Sequence, residues 1–234
     1  LANVMKVYET YTQIFDLTAF EMFTDLALEY VLKQEHISFP LESRGNYYVL
    51  LEIENSTDKT LELAMELFEK CLENSWVVDG TVSQNSQQAK DIWRLREDIS
   101  EATSHAEPYK NDVSVTIDKV PLFLQEMDEI LQRDYPDFDV VWFGHIGDGN
   151  LHINILKPES LTSEAFIKKC KQVDTDLFSM IKKFNGSVSA EHGVGLTKKP
   201  YLNYTRSDNE IALMKQIKGI FDPDGIMNPG KLLP

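Results

Sequence analysis

Two short stretches of the sequence hold side chains whose types and spacing could do chemistry. In Phe143-Gly144-His145-Ile146-Gly147-Asp148-Gly149-Asn150-Leu151-His152-Ile153-Asn154, two imidazoles flank an Asp-Gly-Asn turn signal. If the apolar runs on either side pair as a hairpin, His145 and His152 face each other with Cβ atoms roughly 4.5–5.5 Å apart. Two ring nitrogens could then share one ion. Asn154, two residues beyond His152, falls on the same face. In Ser187-Val188-Ser189-Ala190-Glu191-His192-Gly193-Val194-Gly195, a carboxylate and an imidazole stand side by side before two glycines. Glu191 with His145 and His152 would make a two-histidine, one-carboxylate set. Three protein ligands leave a position open for water or substrate, the pattern of a catalytic metal. Nitrogen and oxygen donors without thiolate suit Zn²⁺, Mn²⁺ or Fe²⁺.

The same residues have plainer uses. A histidine pair across a hairpin can simply be hydrogen-bonded, in a non-catalytic binding module. An open metal position could instead activate water in a free-standing hydrolase. Three of the five histidines cluster between 145 and 192, whereas His36 and His105 have no comparable surroundings. Gly147-Asp148-Gly149 lacks both the Lys-Ser/Thr of a phosphate loop and the full dinucleotide spacing.

The chain around these stretches is globular in composition: 234 residues, 42% hydrophobic and 26% charged. A net charge of −15 argues against nucleic-acid or anionic-membrane partners, which require a basic footprint. No apolar run approaches the ~20 residues of a membrane span. Cys71 and Cys170 sit at apolar helical positions and read as buried free thiols. A cytoplasmic or mitochondrial-matrix setting follows. There is no signal-peptide anatomy and no initiator Met, as in a processed or truncated chain.

Helices and strands must position the candidate residues. Phe20, Phe23, Ala27, Tyr30 and Val31 predict a helix near 18–33. Tyr47–Ile53 predicts a strand. Asn55-Ser56-Thr57-Asp58 offers N-caps for a helix over 58–74 with a buried stripe of Leu61, Ala64, Phe68, Cys71 and Leu72. Glu62, Glu66, Glu69 and Glu73 form its solvated face. A strand is expected at 76–82, a polar helix at 84–102 and a strand at 113–117. A helix from Val120 ends before Pro136, and strands follow at 140–146 and 151–156. Phe166, Cys170, Val173, Leu177 and Ile181 mark a long amphipathic helix stopped at Asn185-Gly186. A short strand at 187–190 and a last helix through Phe221 complete the chain. Strand–helix–strand thus recurs, suggesting an α+β fold with antiparallel sheets, packed helices and two related halves. Exposed edge strands of such a fold could pair chains into a homodimer.

The two His/Glu stretches, together with the terminal FDPDGIMNPGKLLP, resemble the C-terminal portion of flavin-linked D-2-hydroxyacid dehydrogenases of the vanillyl-alcohol-oxidase type. The resemblance runs from about Phe20 to the end. It implies a cap domain with two ferredoxin-like halves over residues 1–221, and a segment 222–234 that returns to an FAD-binding domain absent from this chain. It further implies that His145, His152 and Glu191 hold a divalent metal, zinc above all, that His192 is the catalytic base, and that Asn154 contacts substrate. Arg96, in Trp93-Arg94-Leu95-Arg96-Glu97-Asp98-Ile99-Ser100-Glu101-Ala102, matches an arginine that binds the substrate carboxylate. Ser100 stands where the hydroxyglutarate-oxidising members carry threonine. Lys110 matches a second carboxylate-binding residue across a one-residue gap, and Asn228 is placed at the flavin. On their own, Arg96 and Lys110 would read as surface charges.

The implied chemistry is oxidation of a D-2-hydroxyacid, D-2-hydroxyglutarate or D-lactate, to the 2-oxoacid. Electrons would pass from flavin to an acceptor that the sequence does not identify. An imidazole, with an ordinary pKa of about 6.5, can take the hydroxyl proton at neutral pH. A planar guanidinium suits a carboxylate. Asn154 slightly favours a dicarboxylate over lactate. Without the FAD domain, this chain alone is expected to be inactive in redox chemistry.

Overall fold

The computed structural model describes residues 1–55, 57 and 59–234. Ser56 and Asp58 of the expected N-cap lie outside the described residues. A five-stranded antiparallel sheet organises the molecule. In chain order its strands are β1 (Leu17–Thr24), β2 (Tyr47–Ile53), β3 (Tyr109–Ser114), β4 (Asp139–Gly144) and β5 (Asn150–Leu156), and in space they run β2-β1-β4-β5-β3. The helices are α1 (Ala2–Thr12), α2 (Asp25–Leu32), α3 (Thr60–Glu73), α4 (Ser86–Glu97), α5 (Ile99–Ala102), α6 (Val120–Asp134), α7 (Ser163–Lys183) and α8 (Asp208–Phe221). The class is the expected α+β, with one five-stranded antiparallel sheet. Among the described residues no helix is long and apolar enough to cross a membrane.

Strand periodicity divides the core in two. Met22, Val113, Leu151, Ile153 and Ile155 point to one face, where α1, α3, α6 and α7 pack, with Phe123, Met127, Leu177, Phe178 and Ile181 fully buried. Phe23, Val141, Phe143 and Leu156 point to the other, against Ala27, Leu28 and Val31 of α2, Leu95 of α4 and Ile99 of α5.

Several expected elements are corrected. The segment 18–33 is not one helix but β1 followed by α2. Phe20 and Phe23, at helical spacing in the sequence, lie in different core clusters because an odd separation along a strand puts them on opposite faces. Residues 76–82 form no strand: Val78 is 74% exposed and has nothing to pack against. Instead the Asp79 carboxylate accepts the backbone N–H groups of Glu42, Ser43 and Gly80, fixing a loop. Strand β3 begins at Tyr109, earlier than expected, because the polar run Lys110-Asn111-Asp112 hides it. Segment 187–190 contributes only a bridge, Ser187 to Ser114. In α3 the inward residues are Thr60, Leu67 and Cys71, while Leu61 and Leu72 are exposed.

Candidate metal and substrate site

Alternation along the central strands builds the site. On β5, Asn150, His152 and Asn154 share the α2–α4–α5 face, while Leu151, Ile153 and Ile155 enter the opposite core. In β3, Ser114, Asp112 and Lys110 stand directly across from those three residues. Phe143 of β4 is the other neighbour of His152, with ring centroids 4.9 Å apart. His145 follows β4 directly. The turn returning to β5 closes through Gly149 at φ +73°, where an added Cβ would lie 1.9 Å from the Val115 carbonyl oxygen; only glycine fits. Arg96, in the last turn of α4, lies over the Phe143 ring at 4.8 Å.

Two imidazoles converge on one carboxylate oxygen. His152 Nε2 is 3.2 Å and His145 Nε2 3.5 Å from Glu191 Oε1. The other ring nitrogens face buried carboxylates. His145 Nδ1 is 2.6 Å from Glu21 Oε1, and His152 Nδ1 is 3.6 Å from Asp112 Oδ1, a buried oxygen with no hydrogen bond of its own among the described residues. Asn150 donates its amide N–H to Glu191 Oε1 at 2.6 Å. Asp112 Oδ2 accepts the backbone N–H groups of Glu191 and His192, each at 2.9 Å. Carboxylates behind ligating histidines fix ring orientation and tautomer in metal sites; His145 has that hydrogen bond through Glu21, while His152 faces the Asp112 carboxylate at 3.6 Å without one.

Ligand atoms of Asp112, His152, Glu191 and His192 all lie within 4.8 Å of one another. Asp112 is the least suited of these to hold an ion, because its carboxylate already secures two amides and faces His152. His145, with Nε2 directed at Glu191, completes a better set. The donors fit a divalent ion: two imidazoles and a carboxylate, with Glu191 and His145 half-exposed so that one side stays open.

Electrostatics separates the two histidines. Burial, helped by the nearby Arg96 charge, pulls His152 down to about 4, so it is neutral near pH 7 with a lone pair available. The hydrogen bond to Glu21 raises His145 above its ordinary range, against the pull of burial. Burial pushes the Glu21 carboxyl up, but the His145 bond and the Arg96 charge outweigh it and its pKa is lowered. Arg96 Nε lies 2.9 Å from Glu21 Oε2, both groups being buried, although the pair is out of line for a hydrogen bond.

A cavity of about 510 Å³ opens beside these groups, lined by Arg96, Glu97, Ser100, Lys110, Asn111, Phe143, His145, His152, Asn154, Glu191 and His192. It therefore gathers eight of the nine residues singled out in the sequence. Asn154 is 2% exposed and its Nδ2 has no partner among the described residues. The His192 side chain is 63% exposed, its ring stacked at 5.6 Å on that of His152. Asn228 does not line this cavity. It is exposed, at φ +47°, in the turn after α8. The tail returns toward the Glu191 loop, where Leu232 N–H bonds to Gly195 C=O at 2.9 Å. Sequence reasoning missed Glu21, Asp112 and Asn150. Asp112 and Asn150 lay within its reach, since strand alternation from Lys110 and His152 leads to them. Glu21 was hidden by the helix expected over β1.

The chain belongs to the family of FAD linked oxidases, C-terminal domain, which matches residues 1–232. Among its relatives, D-2-hydroxyglutarate dehydrogenase of Stutzerimonas stutzeri (strain A1501) is 52% identical over 98% of this chain and 50% of that protein. D-2-hydroxyglutarate dehydrogenase of Xanthomonas citri pv. viticola is 50% identical over 98% of this chain and 48% of its own length. The mitochondrial D-2-hydroxyglutarate dehydrogenase of Arabidopsis thaliana is 35% identical over 93% of this chain and 38% of its own. The chain thus spans about half the length of the two bacterial relatives.

Proposed function

We propose that this chain is the substrate- and metal-binding part, residues 1–221 with the tail 222–234, of a flavin-dependent dehydrogenase that oxidises a D-2-hydroxyacid to the 2-oxoacid. One observation carries the proposal. His145 and His152 direct Nε2 at the same Glu191 oxygen while buried carboxylates stand behind their Nδ1 atoms. His145, His152 and Glu191 would hold the ion, with Zn²⁺ the best match to the donors. When bound, a divalent ion supplies Lewis acidity at the C2 oxygen and a flavin supplies the two-electron acceptor.

The chain's own residues do the rest. Arg96, fixed by Glu21 and stacked on Phe143, presents a guanidinium for the C1 carboxylate. Lys110 and Asn154, opposite each other across β3 and β5, would take a second carboxylate, so the cavity suits D-2-hydroxyglutarate better than D-lactate. Ser100 adds a hydroxyl to the same cavity. His192, exposed at the mouth, would accept the C2 hydroxyl proton. Asn228 is assigned to the flavin side. A cytoplasmic or matrix setting suits this chemistry and its two buried thiols.

The test is metal content of the purified chain by elemental analysis, with His152→Ala as control, followed by calorimetry with D-2-hydroxyglutarate. About one equivalent of zinc or manganese, absent from the variant, is expected. A chain that neither retains nor takes up a divalent ion rules out the metal assignment.

A further inference from the structure

The segment that carries Glu191 and His192 is held from both faces of the sheet. Segment 187–190 runs along the outer edge of β3. Ser187 exchanges backbone hydrogen bonds with Ser114 at 2.8 and 3.1 Å, and Ala190 N–H reaches Asp112 C=O at 3.3 Å. On the site face, Asp112 holds the amides of Glu191 and His192. The chain then turns through Gly193 and Gly195, both at positive φ, and passes round the edge of the sheet. Lys198 lands on the far face. It is 9% exposed, its ammonium hydrogen-bonds to Asn111 Oδ1, and Nζ lies 4.8 Å from the centre of the Phe178 ring. Asn111 in turn donates to Asp174 Oδ1 at 3.0 Å, and Tyr109 donates to Asp174 Oδ2 at 2.6 Å. Asn111 and Asp112 are consecutive residues of one strand, so their side chains must point to opposite faces. Between them they grip the two ends of a single loop.

We propose that Lys198, through Asn111 and Asp174, is a positioning residue that clamps this loop to the reverse face of the sheet and so sets Glu191 over His145 and His152. The inference rests on the assignment of Glu191 as a ligand. The chemistry of the anchor supports it. A buried ammonium and a buried carboxylate, linked through one amide, are satisfied in a single geometry. An apolar side chain at 198 would fill the space but leave Asn111 and Asp174 without their charged partner. Glu191, by contrast, is half-exposed; Asp112 holds its backbone N–H, and the chain beyond it is held at Gly195 by Leu232 and at Lys198 by Asn111.

The experiment compares the wild-type chain with Lys198→Met, Lys198→Arg and Asp174→Asn, by hydrogen–deuterium exchange and by cobalt(II) titration followed in the visible spectrum. In Lys198→Met, the amides of Glu191 and His192 should exchange at least tenfold faster, while those of β4 and β5 keep wild-type rates. Cobalt affinity should fall about 10–100-fold, as for other residues behind metal ligands. Lys198→Arg should restore most of both. Asp174→Asn, which keeps the shape and removes the charge, should move both in the direction of Lys198→Met and carries the test if that variant does not fold. Unchanged exchange at residues 190–194 in both Lys198→Met and Asp174→Asn, with normal cobalt uptake, overturns the clamp alone. A wild-type chain that binds no cobalt overturns the ligand assignment and the clamp's role in it.

Discussion

Glu21 Oε1 stands 2.6 Å from His145 Nδ1 although 124 residues separate the two in sequence. The same carboxylate neutralises Arg96 through its other oxygen. One buried acid thus orients a candidate metal ligand and a candidate substrate anchor together. Glu21→Gln should weaken zinc or cobalt binding about 10–100-fold in a competition titration. It should also lower stability by roughly 3 kcal/mol in urea unfolding, because the Arg96 charge loses its buried counterion. Unchanged affinity would show that His145 does not ligate.

The β4–β5 turn is predicted to be intolerant at one position. Gly149→Ala combines a disfavoured positive φ with a Cβ placed against the Val115 carbonyl. A loss of about 3 kcal/mol is expected. Equilibrium unfolding reads the loss, and the metal titration should show reduced affinity, since the turn spaces His145 from His152.

Helix α8 should behave in the opposite way. Leu213, Ile217, Ile220 and Phe221 are each more than half exposed, and only Ile211 of this helix is buried. Ile217→Gln should therefore change the unfolding free energy by no more than about 0.5 kcal/mol. Leu177→Ala, in the closed core under α7, should cost about 2–5 kcal/mol. Equal effects from the two would show that the stripe on α8 is packed in solution.

The two thiols should be inert while the fold persists. Cys71 and Cys170 are fully buried, burial raises both thiols, and Cys170 is pushed up to about 12. At pH 8 the Cys170 thiolate fraction is then about 10⁻⁴. A disulfide reagent should label neither cysteine in the native chain during a time that suffices for both in denaturant. The native rate at Cys170 should rise about tenfold per pH unit. Rapid labelling at pH 8 would place Cys170 in solvent.

The sequence announced the site better than the sheet that holds it. His145, His152 and Glu191 stand out because glycines and turn residues flank them, and the hairpin spacing predicts His145 and His152 opposite each other. The helices with long apolar stripes, α6 and α7, were legible from periodicity. Strands β1 and β3 were not, because polar residues serving the site interrupt them: Glu21 inside β1, and Lys110, Asn111 and Asp112 inside β3. Alternation is lost to the eye when a strand's inward residues are charged. The run 76–82 misled in the reverse sense: Trp76 and Val77 pack on the core from a loop, and Val78 and Val82 are exposed around Asp79.

An ion shared by His145 and Glu191 would also change the chain's topology. Between those residues the backbone makes an excursion through β5 and the whole of α7 before returning to β3's edge. Joining the ends would close that excursion into a ring, a non-covalent counterpart of a disulfide. By the chain-entropy estimate such closure disfavours the unfolded ensemble on the order of 4 kcal/mol. Metal occupancy would then govern how readily α7 and the strand beside it open together, and a chelator would act on folding cooperativity as well as on chemistry.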